Sequence, residues 1–187
     1  MTIIVGLIDE ESKTIYMGGD SAGVAHYSLQ KRKDPKVFIN GEFIIGYTSS
    51  FRMGQLLRFK LNPPTRKIGM DVYEYMCTDF IDAVRECFKE GGYTEIENNV
   101  EAGGTFLVGY AGRLFEVESD FQVAERLIDY TACGCGIDLA LGSLHSTAYI
   151  THITPERRVL LALKAAAEFS VGVSDPFVII KKEYNEE

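Results

Sequence analysis

Apolar and β-branched residues dominate the N-terminal part of the chain, in short runs separated by turn residues. The run Thr2–Ile8 is followed, after residues 9–13, by the run Thr14–Gly19, and this pattern predicts a β-hairpin. KVFIN and EFIIGY predict a second hairpin around Asn40-Gly41, a strong tight-turn signal. These runs are apolar at successive positions rather than alternating, which predicts a sheet covered on both faces.

Helical spacing follows in the middle of the chain. Ser49 and Ser50 are possible caps of a first helix, whose apolar stripe holds Met53, Leu56 and Leu57. The segment Asn62-Pro63-Pro64 ends this predicted helix. A longer helix stops at Gly91-Gly92 and carries its apolar stripe on Tyr73, Met76, Cys77, Phe80, Ile81, Val84 and Phe88. We expect Cys77 and Cys87 to pack in the core beneath this helix.

Strands and helices alternate again in the C-terminal half. GTFLVGY, RLFEVES, the run Leu127–Ala132 and the final PFVIIKK predict strands, and Gly136–Leu144 predicts a helix. Another helix begins with Thr154 as its cap and Pro155 in its first turn. Because hairpins imply antiparallel pairing, we predict an α+β fold. Two stacked antiparallel sheets lie between helical layers in this four-layer αββα sandwich, which forms one domain over residues 1–187.

Composition narrows the classes of function. The chain has 187 residues, 46% hydrophobic, with a formal net charge of -8, which argues against nucleic acid or an anionic membrane as the main partner. It has no apolar run long enough to span a bilayer and no basic segment typical of a signal peptide. Its four cysteines lack disulfide or zinc spacing, so we expect a cytoplasmic protein without a metal or cofactor.

Thr2 stands where the first predicted strand begins. Threonine is also a common strand residue, so its position alone is weak evidence. If Met1 is removed, however, Thr2 carries both a hydroxyl and a free α-amine, whose reference pKa is about 7.7–8.0. One residue then supplies a nucleophile and the base that activates it.

Two further residues complete this hypothesis. A nearby cation lowers the pKa of an amine, so that more of it is free base at neutral pH. Lys36, at the start of the third predicted strand, is the candidate cation, and Asp20, at the end of the second, is the carboxylate that would fix it. Each also has a plain interpretation, since Asp20 fits a turn and Lys36 fits an exposed strand end beside the basic Lys31–Lys33 segment.

The pattern TIIVGLI…YMGGDS…KVFINGEFIIGYTSS…GTFLVGY…ACGCGIDLALGSL resembles the peptidase subunits of proteasome-type proteases, above all the bacterial HslV type. The resemblance covers nearly the whole chain. It implies an N-terminal-nucleophile hydrolase that cleaves peptide bonds of unfolded polypeptides through an acyl-threonine ester. It also implies stacked homo-oligomeric rings and an ATP-driven AAA+ unfoldase as partner.

The resemblance assigns roles position by position. Thr2 matches the nucleophile, Asp20 the buried aspartate, and Lys36 the lysine beside the amine. Gly46 matches the glycine whose backbone N–H faces the oxyanion, a donor that a peptide can approach closely because glycine has no side chain.

Three positions depart from the family pattern. Cys135 replaces a serine in the GCG turn, and Glu168 and Val171 stand where an aspartate and then a serine are usual. A thiol is a weaker hydrogen-bond donor than a hydroxyl, and valine donates none. These departures predict a weakened or rewired proton network around the amine.

The departures keep other functions open. The chain fits a catalytically silent, ring-forming scaffold of the same fold, or an N-terminal-nucleophile amidase that acts on small amides. Cys135 with His145 would make a Cys/His hydrolase, although both residues belong to the same short helical region. Cys133 and Cys135 lack the second pair of ligands that a structural zinc site needs.

Overall fold

Two antiparallel sheets lie face to face in the computed structural model, which describes residues 2–97 and 100–185. In chain order the strands are β1 (Ile3–Asp9), β2 (Thr14–Gly19), β3 (Ala22–Ala25), β4 (Ser28–Lys31), β5 (Val37–Asn40), β6 (Phe43–Tyr47), β7 (Glu95–Glu97), β8 (Val100–Ala102), β9 (Phe106–Tyr110), β10 (Arg113–Val117), β11 (Val123–Glu125), β12 (Tyr130–Gly134) and β13 (Val178–Glu183). The first sheet has the order β12-β1-β2-β13 and the second the order β11-β10-β9-β6-β5. β3 with β4, and β7 with β8, form separate two-stranded ribbons.

Helices cover the outer face of each sheet. They are α1 (Phe51–Phe59), α2 (Val72–Tyr75), a π-helical turn (Met76–Phe80), α3 (Ile81–Glu90), α4 (Ile137–Ser146) and α5 (Pro155–Phe169). The segments from α1 to α3 pack on the second sheet, and α4 and α5 pack on the first. The predicted α+β, four-layer αββα architecture is therefore confirmed.

β1 shows why the inner strands do not alternate in the sequence. Its residues Ile3, Val5 and Leu7 face α4 and α5, whereas Ile4 faces the second sheet. A strand in an inner layer of four is buried on both faces, so both sets of side chains are apolar. β1 and β2 are antiparallel with Ile4 opposite Gly19, which brings the start of β1 and the end of β2 to one edge.

Some sequence expectations differ from the structure. The strand expected from Leu127 begins at Tyr130, and Leu127 is fully exposed. Cys87 is buried as expected, but Cys77 is exposed. Cys77 lies in the π-helical turn, where the wider backbone shifts the register of the buried face. The β3–β4 ribbon was not predicted, because most of its residues are exposed and carry no apolar pattern.

Within the described ranges, none of the helices combines the length and apolar character needed to cross a lipid bilayer.

Candidate active site

The structure holds Thr2 rigidly at the start of β1. Thr2 is buried, with 6% of its surface exposed. Its carbonyl oxygen accepts a hydrogen bond of 2.6 Å from the backbone N–H of Cys135. Gly134, at φ 103°, passes so close that a Cβ there would overlap this carbonyl oxygen, so only glycine fits. The end of β12 thus fixes the backbone of Thr2.

Lys36 reaches the Thr2 side chain from the second sheet. The Lys36 Nζ donates to Thr2 Oγ1 at 2.7 Å, to Asp20 Oδ1 at 2.9 Å and to the carbonyl oxygen of Ala22 at 2.6 Å. These three acceptors match the three protons of an ammonium group. Burial lowers the pKa of Lys36, and the Asp20 carboxylate opposes that shift by favouring the charged form.

Asp20 ties three segments of the chain together. Its Oδ1 accepts from the Ile3 N–H at 3.1 Å, and its Oδ2 accepts from the N–H groups of Ala22 at 2.8 Å and Ser174 at 3.3 Å. The side chains of Asp20 and Lys36 are both inaccessible to solvent. A buried ion pair of this kind is tolerated when further hydrogen bonds satisfy its remaining polar atoms, and here the backbone supplies them.

A cleft of about 360 Å³ opens beside Thr2 and is lined by Thr2, Val24, Tyr47, Thr48, Ser49, Ser50, Phe51 and Arg52. One wall is the N-terminal end of α1, where Ser50 is the cap. The preceding loop is held by Thr105, whose carbonyl oxygen accepts from Thr48 Oγ1 at 2.8 Å and whose N–H donates to Ser49 Oγ at 3.0 Å. The first N–H groups of a helix lack partners within it and attract negative charge. Ser50 Oγ already accepts from the Arg52 N–H at 3.1 Å, so the positive end of the α1 dipole, rather than that N–H, would favour negative charge in this cleft.

The structure does not bring Gly46 to this cleft, which corrects its predicted role. Gly46 lies inside β6 opposite Leu107, and a Cβ there would meet Ile4 at 2.5 Å in the layer between the sheets. The N–H of Thr48, two residues after Gly46, donates to the carbonyl oxygen of Thr105, the residue that precedes β9. Since N–H directions repeat every second residue in a strand, the Gly46 N–H also points along the ladder to β9. The absence of a side chain at Gly46 is explained by close sheet packing.

Cys135 contacts Thr2 through its backbone rather than through its thiol. Its side chain is half-buried under α5, and its N–H holds the Thr2 carbonyl. His145 instead pairs with the Tyr130 hydroxyl at 2.9 Å. Tyr130 begins β12 and Gly134 ends it, a separation of roughly 13 Å in an extended strand. The structure therefore does not bring Cys135 and His145 together as a nucleophile and base.

Glu168 and Val171 also lie outside the cleft. Glu168 is exposed in a separate groove that Lys164, Ser174 and Phe177 share. The buried face of α5 carries Val159, Ala162, Leu163 and Ala166, and Glu168 falls on the opposite side two residues later. Val171 is 93% exposed. The expected acidic role of Glu168 beside the amine is not supported by this geometry.

The sequence interpretation missed residues that contact the site through their backbone. Ser174 holds Asp20 by its N–H, and Phe51 lines the cleft at the start of α1. Ser170 caps α5 and lies against the Gly136 turn next to Cys135. The sequence does predict Ser49 or Ser50 as the cap of this helix, and Ser50 is the cap in the structure. The contact of Ser174 with Asp20 had no local signal.

The assembled groups suit acyl transfer. They comprise a hydroxyl bonded to a buried cation, a carboxylate that fixes the cation, and a helix N-terminus across the cleft. Among the residues that the structure describes, no group of three or more His, Cys, Asp and Glu side chains is arranged to hold a metal.

Solved structures share this fold. BPH from Thiobacillus denitrificans in complex with epoxomicin matches with a TM-score of 0.80 at 18% identity, over 99% of this chain and 100% of that one. HslV from Trypanosoma brucei matches at 0.69 and 15%, over 97% and 99%. The Anbu Gly-1 mutant from Hyphomicrobium sp. strain MC1 matches at 0.69 and 15%, over 98% and 82%. The sequence matches no family profile and no curated protein. The chain therefore has an HslV-like fold.

Proposed function

We propose that this protein is a threonine peptidase in which Thr2, once Met1 is removed, attacks the peptide bonds of unfolded polypeptides. The observation that carries this proposal is the 2.7 Å hydrogen bond from Lys36 Nζ to Thr2 Oγ1 inside a buried ion pair with Asp20. A buried lysine directed at a strand-terminal threonine hydroxyl has no evident structural need. It fits the activation of a nucleophile.

Acylation follows from this geometry. The α-amine of Thr2 takes the hydroxyl proton while Oγ1 bonds to the substrate's carbonyl carbon, and Lys36 stabilises the developing negative charge on Oγ1. The N-terminal end of α1 stabilises the oxyanion of the tetrahedral intermediate. The C–N bond then breaks, the amine returns its proton to the leaving amino group, and an acyl-threonine ester remains.

In deacylation, water takes the place of the Thr2 hydroxyl as the nucleophile. The α-amine takes a proton from a water molecule, whose oxygen attacks the ester carbonyl carbon. The C–Oγ1 bond breaks, and the proton passes back to Oγ1 as the carboxylic acid product leaves. Acylation and deacylation use the same Thr2 hydroxyl and the same α-amine, and the complete reaction consumes only the peptide and one water molecule.

A covalent probe tests the proposal. We use a peptide with a ketone next to an epoxide, because a threonine hydroxyl adds to the ketone and the free amine opens the epoxide. The full mass of the probe should then appear on Thr2 in Met-cleaved protein, measured by intact mass and peptide mapping. Epoxomicin, the molecule bound in the Thiobacillus denitrificans BPH structure, is a suitable second probe.

The Met-retained protein is the matched control, since its Thr2 nitrogen is an amide and cannot open the epoxide. It should not form the adduct in which both the hydroxyl and the nitrogen of Thr2 are bonded to the probe. Labelling of Cys135 instead of Thr2 would contradict the threonine mechanism. Absence of any labelling in the Met-cleaved protein would favour the catalytically silent scaffold, an alternative that the exposed positions of Glu168 and Val171 support.

The proposal extends to assembly. We propose stacked homo-oligomeric rings that enclose the cleft and receive unfolded chains from an AAA+ ATPase, in the cytoplasm. Exposed large apolar side chains, among them Phe59, Phe169 and Tyr149, are available for contacts between copies. Native mass spectrometry should show a particle of many times 20.8 kDa. A strict monomer at micromolar concentration would contradict the ring and leave the small-amide hydrolase as the better candidate.

A further inference from the structure

An aromatic wall closes one side of the cleft. Phe51, the first residue of α1, lines the cleft with Thr2 and Val24. Its ring meets the Tyr47 ring edge to face, with 6.1 Å between centroids. The Tyr47 ring lies directly on Gly54, where a Cβ would overlap it, and Tyr47 is 5% exposed. Because Tyr47 is fixed from both sides, Phe51 has a rigid neighbour.

A second, basic pocket lies behind this wall. Its volume is about 160 Å³, and it is lined by Arg32, Asp34, Pro35, Tyr47, Gly54, Gln55, Arg58 and Phe59. The Arg32 guanidinium stacks on Phe51, with Cζ 3.8 Å from the ring centroid, and Asp34 accepts two hydrogen bonds of 2.9 Å from it. Two arginines and one aspartate are the charged residues that line the pocket, so its lining carries a net positive charge. Tyr47 lines both cavities, and the Phe51 ring lies between Arg32 and the cleft.

Each cation near the cleft has a partner in the protein, but Asp34 accepts from only two of the five N–H donors of Arg32. Lys36 uses three donors on Thr2, Asp20 and Ala22. Arg52 lines the cleft, but its guanidinium donates to the carbonyl oxygen of Gly91 at 3.2 Å. An acidic substrate side chain entering the cleft would lose water and meet the ring of Phe51 rather than a guanidinium.

We propose that Phe51 is a specificity-determining residue: its ring separates the cleft from Arg32, so the cleft selects an uncharged side chain beside the scissile carbonyl and rejects an acidic one. This inference rests on the proposed function, because it concerns the substrate of the same site. The small side chains of Thr48, Ser49 and Ser50 and the apolar Val24 and Phe51 leave room for an uncharged group. Removing the ring would open a path to Arg32.

The test compares two peptide substrates that differ only in the residue before the scissile bond, leucine or glutamate. In the Phe51→Ala variant, the ratio of kcat/KM for glutamate over leucine should rise about tenfold, the effect of one new charge-assisted hydrogen bond. The ratio within one variant cancels any change in the chemical step, including one caused by water reaching Lys36. Adding Arg32→Gln should reverse the gain. The control Tyr73→Ala removes a partly exposed aromatic ring that lines neither the cleft nor the basic pocket, and it should leave the ratio unchanged.

A binding measurement separates this inference from the proposed function. Acetylated tripeptide amides ending in leucine or glutamate are titrated into the Thr2→Ala protein with and without Phe51→Ala, which requires no turnover. A rise in the relative affinity for glutamate supports the role of Phe51 even if the wild-type protein hydrolyses nothing. An unchanged ratio, or equal gains in Tyr73→Ala, would overturn it. Failure of both peptides to bind either protein would overturn it as well.

Discussion

Replacing Thr2 with alanine should abolish peptide hydrolysis, with a fall in kcat/KM of at least about 1,000-fold, because the substitution removes the only nucleophile of the proposed mechanism. Thr2→Ser keeps both the hydroxyl and the amine and should retain part of the rate. The measurement is hydrolysis of one unfolded polypeptide by Met-cleaved protein of each kind. Met-retained wild-type protein should be as inactive as Thr2→Ala, since it lacks the base.

The same variant has a small structural cost, which provides an internal control. Thr2 Oγ1 is buried and accepts a hydrogen bond from Lys36, so its loss leaves one ammonium proton without that partner. We expect the free energy of unfolding to fall by about 1–3 kcal/mol, which leaves the fold intact. Circular dichroism and thermal unfolding check this. Equal activity in Met-retained and Met-cleaved protein would rule out the N-terminal amine as the base.

Replacing Lys36 with alanine should lower kcat/KM by roughly 10²–10⁴-fold, the usual contribution of a group that assists proton transfer. The cation disfavours the protonated amine, so its removal raises the amine pKa and moves the acidic limb of the pH–rate profile to higher pH. In the wild type, burial lowers the pKa of Lys36, so the alkaline limb from its deprotonation should lie below the ordinary lysine value of 10.5. Steady-state kinetics across pH measure both limbs.

Two further variants sharpen this experiment. Lys36→Arg should also fail, because the larger planar guanidinium does not fit the three acceptors around Nζ. Lys31→Ala removes an exposed lysine paired with Asp175, so activity and stability should hardly change. Since Lys36→Ala leaves Asp20 buried without its cation, Lys36→Ala with Asp20→Asn is the variant to use if the single change does not fold. Unchanged kinetics in all Lys36 variants would make Lys36 purely structural.

The sequence by itself determined the layers of the fold and three central residues of the candidate site, Thr2, Asp20 and Lys36. Inner strands such as β1 are apolar at successive positions because they are buried on both faces, and this pattern can be read directly from the sequence. Helix caps at Ser50 and Thr154 are likewise local signals. Thr2 and Asp20 stand at strand ends that hairpin pairing brings to one edge of the first sheet. Lys36 directly precedes β5 of the second sheet and reaches them because the two sheets stack.

Only the tertiary structure decided the role of residues whose contacts are distant in the chain. Gly46 and Glu168 lie close in sequence to residues at the candidate site. The direction of the Gly46 N–H and of the Glu168 side chain, however, depends on strand and helix register, which a shift of one or two residues reverses. The N–H of Ser174 reaches Asp20 across 154 positions, and no local pattern encodes such a bond. Phe51 looked like an ordinary apolar helix residue until the fold stacked Arg32 on its ring and opened the cleft beside it. Local patterns specify which face of an element is buried, whereas packing alone decides what each remaining side chain meets.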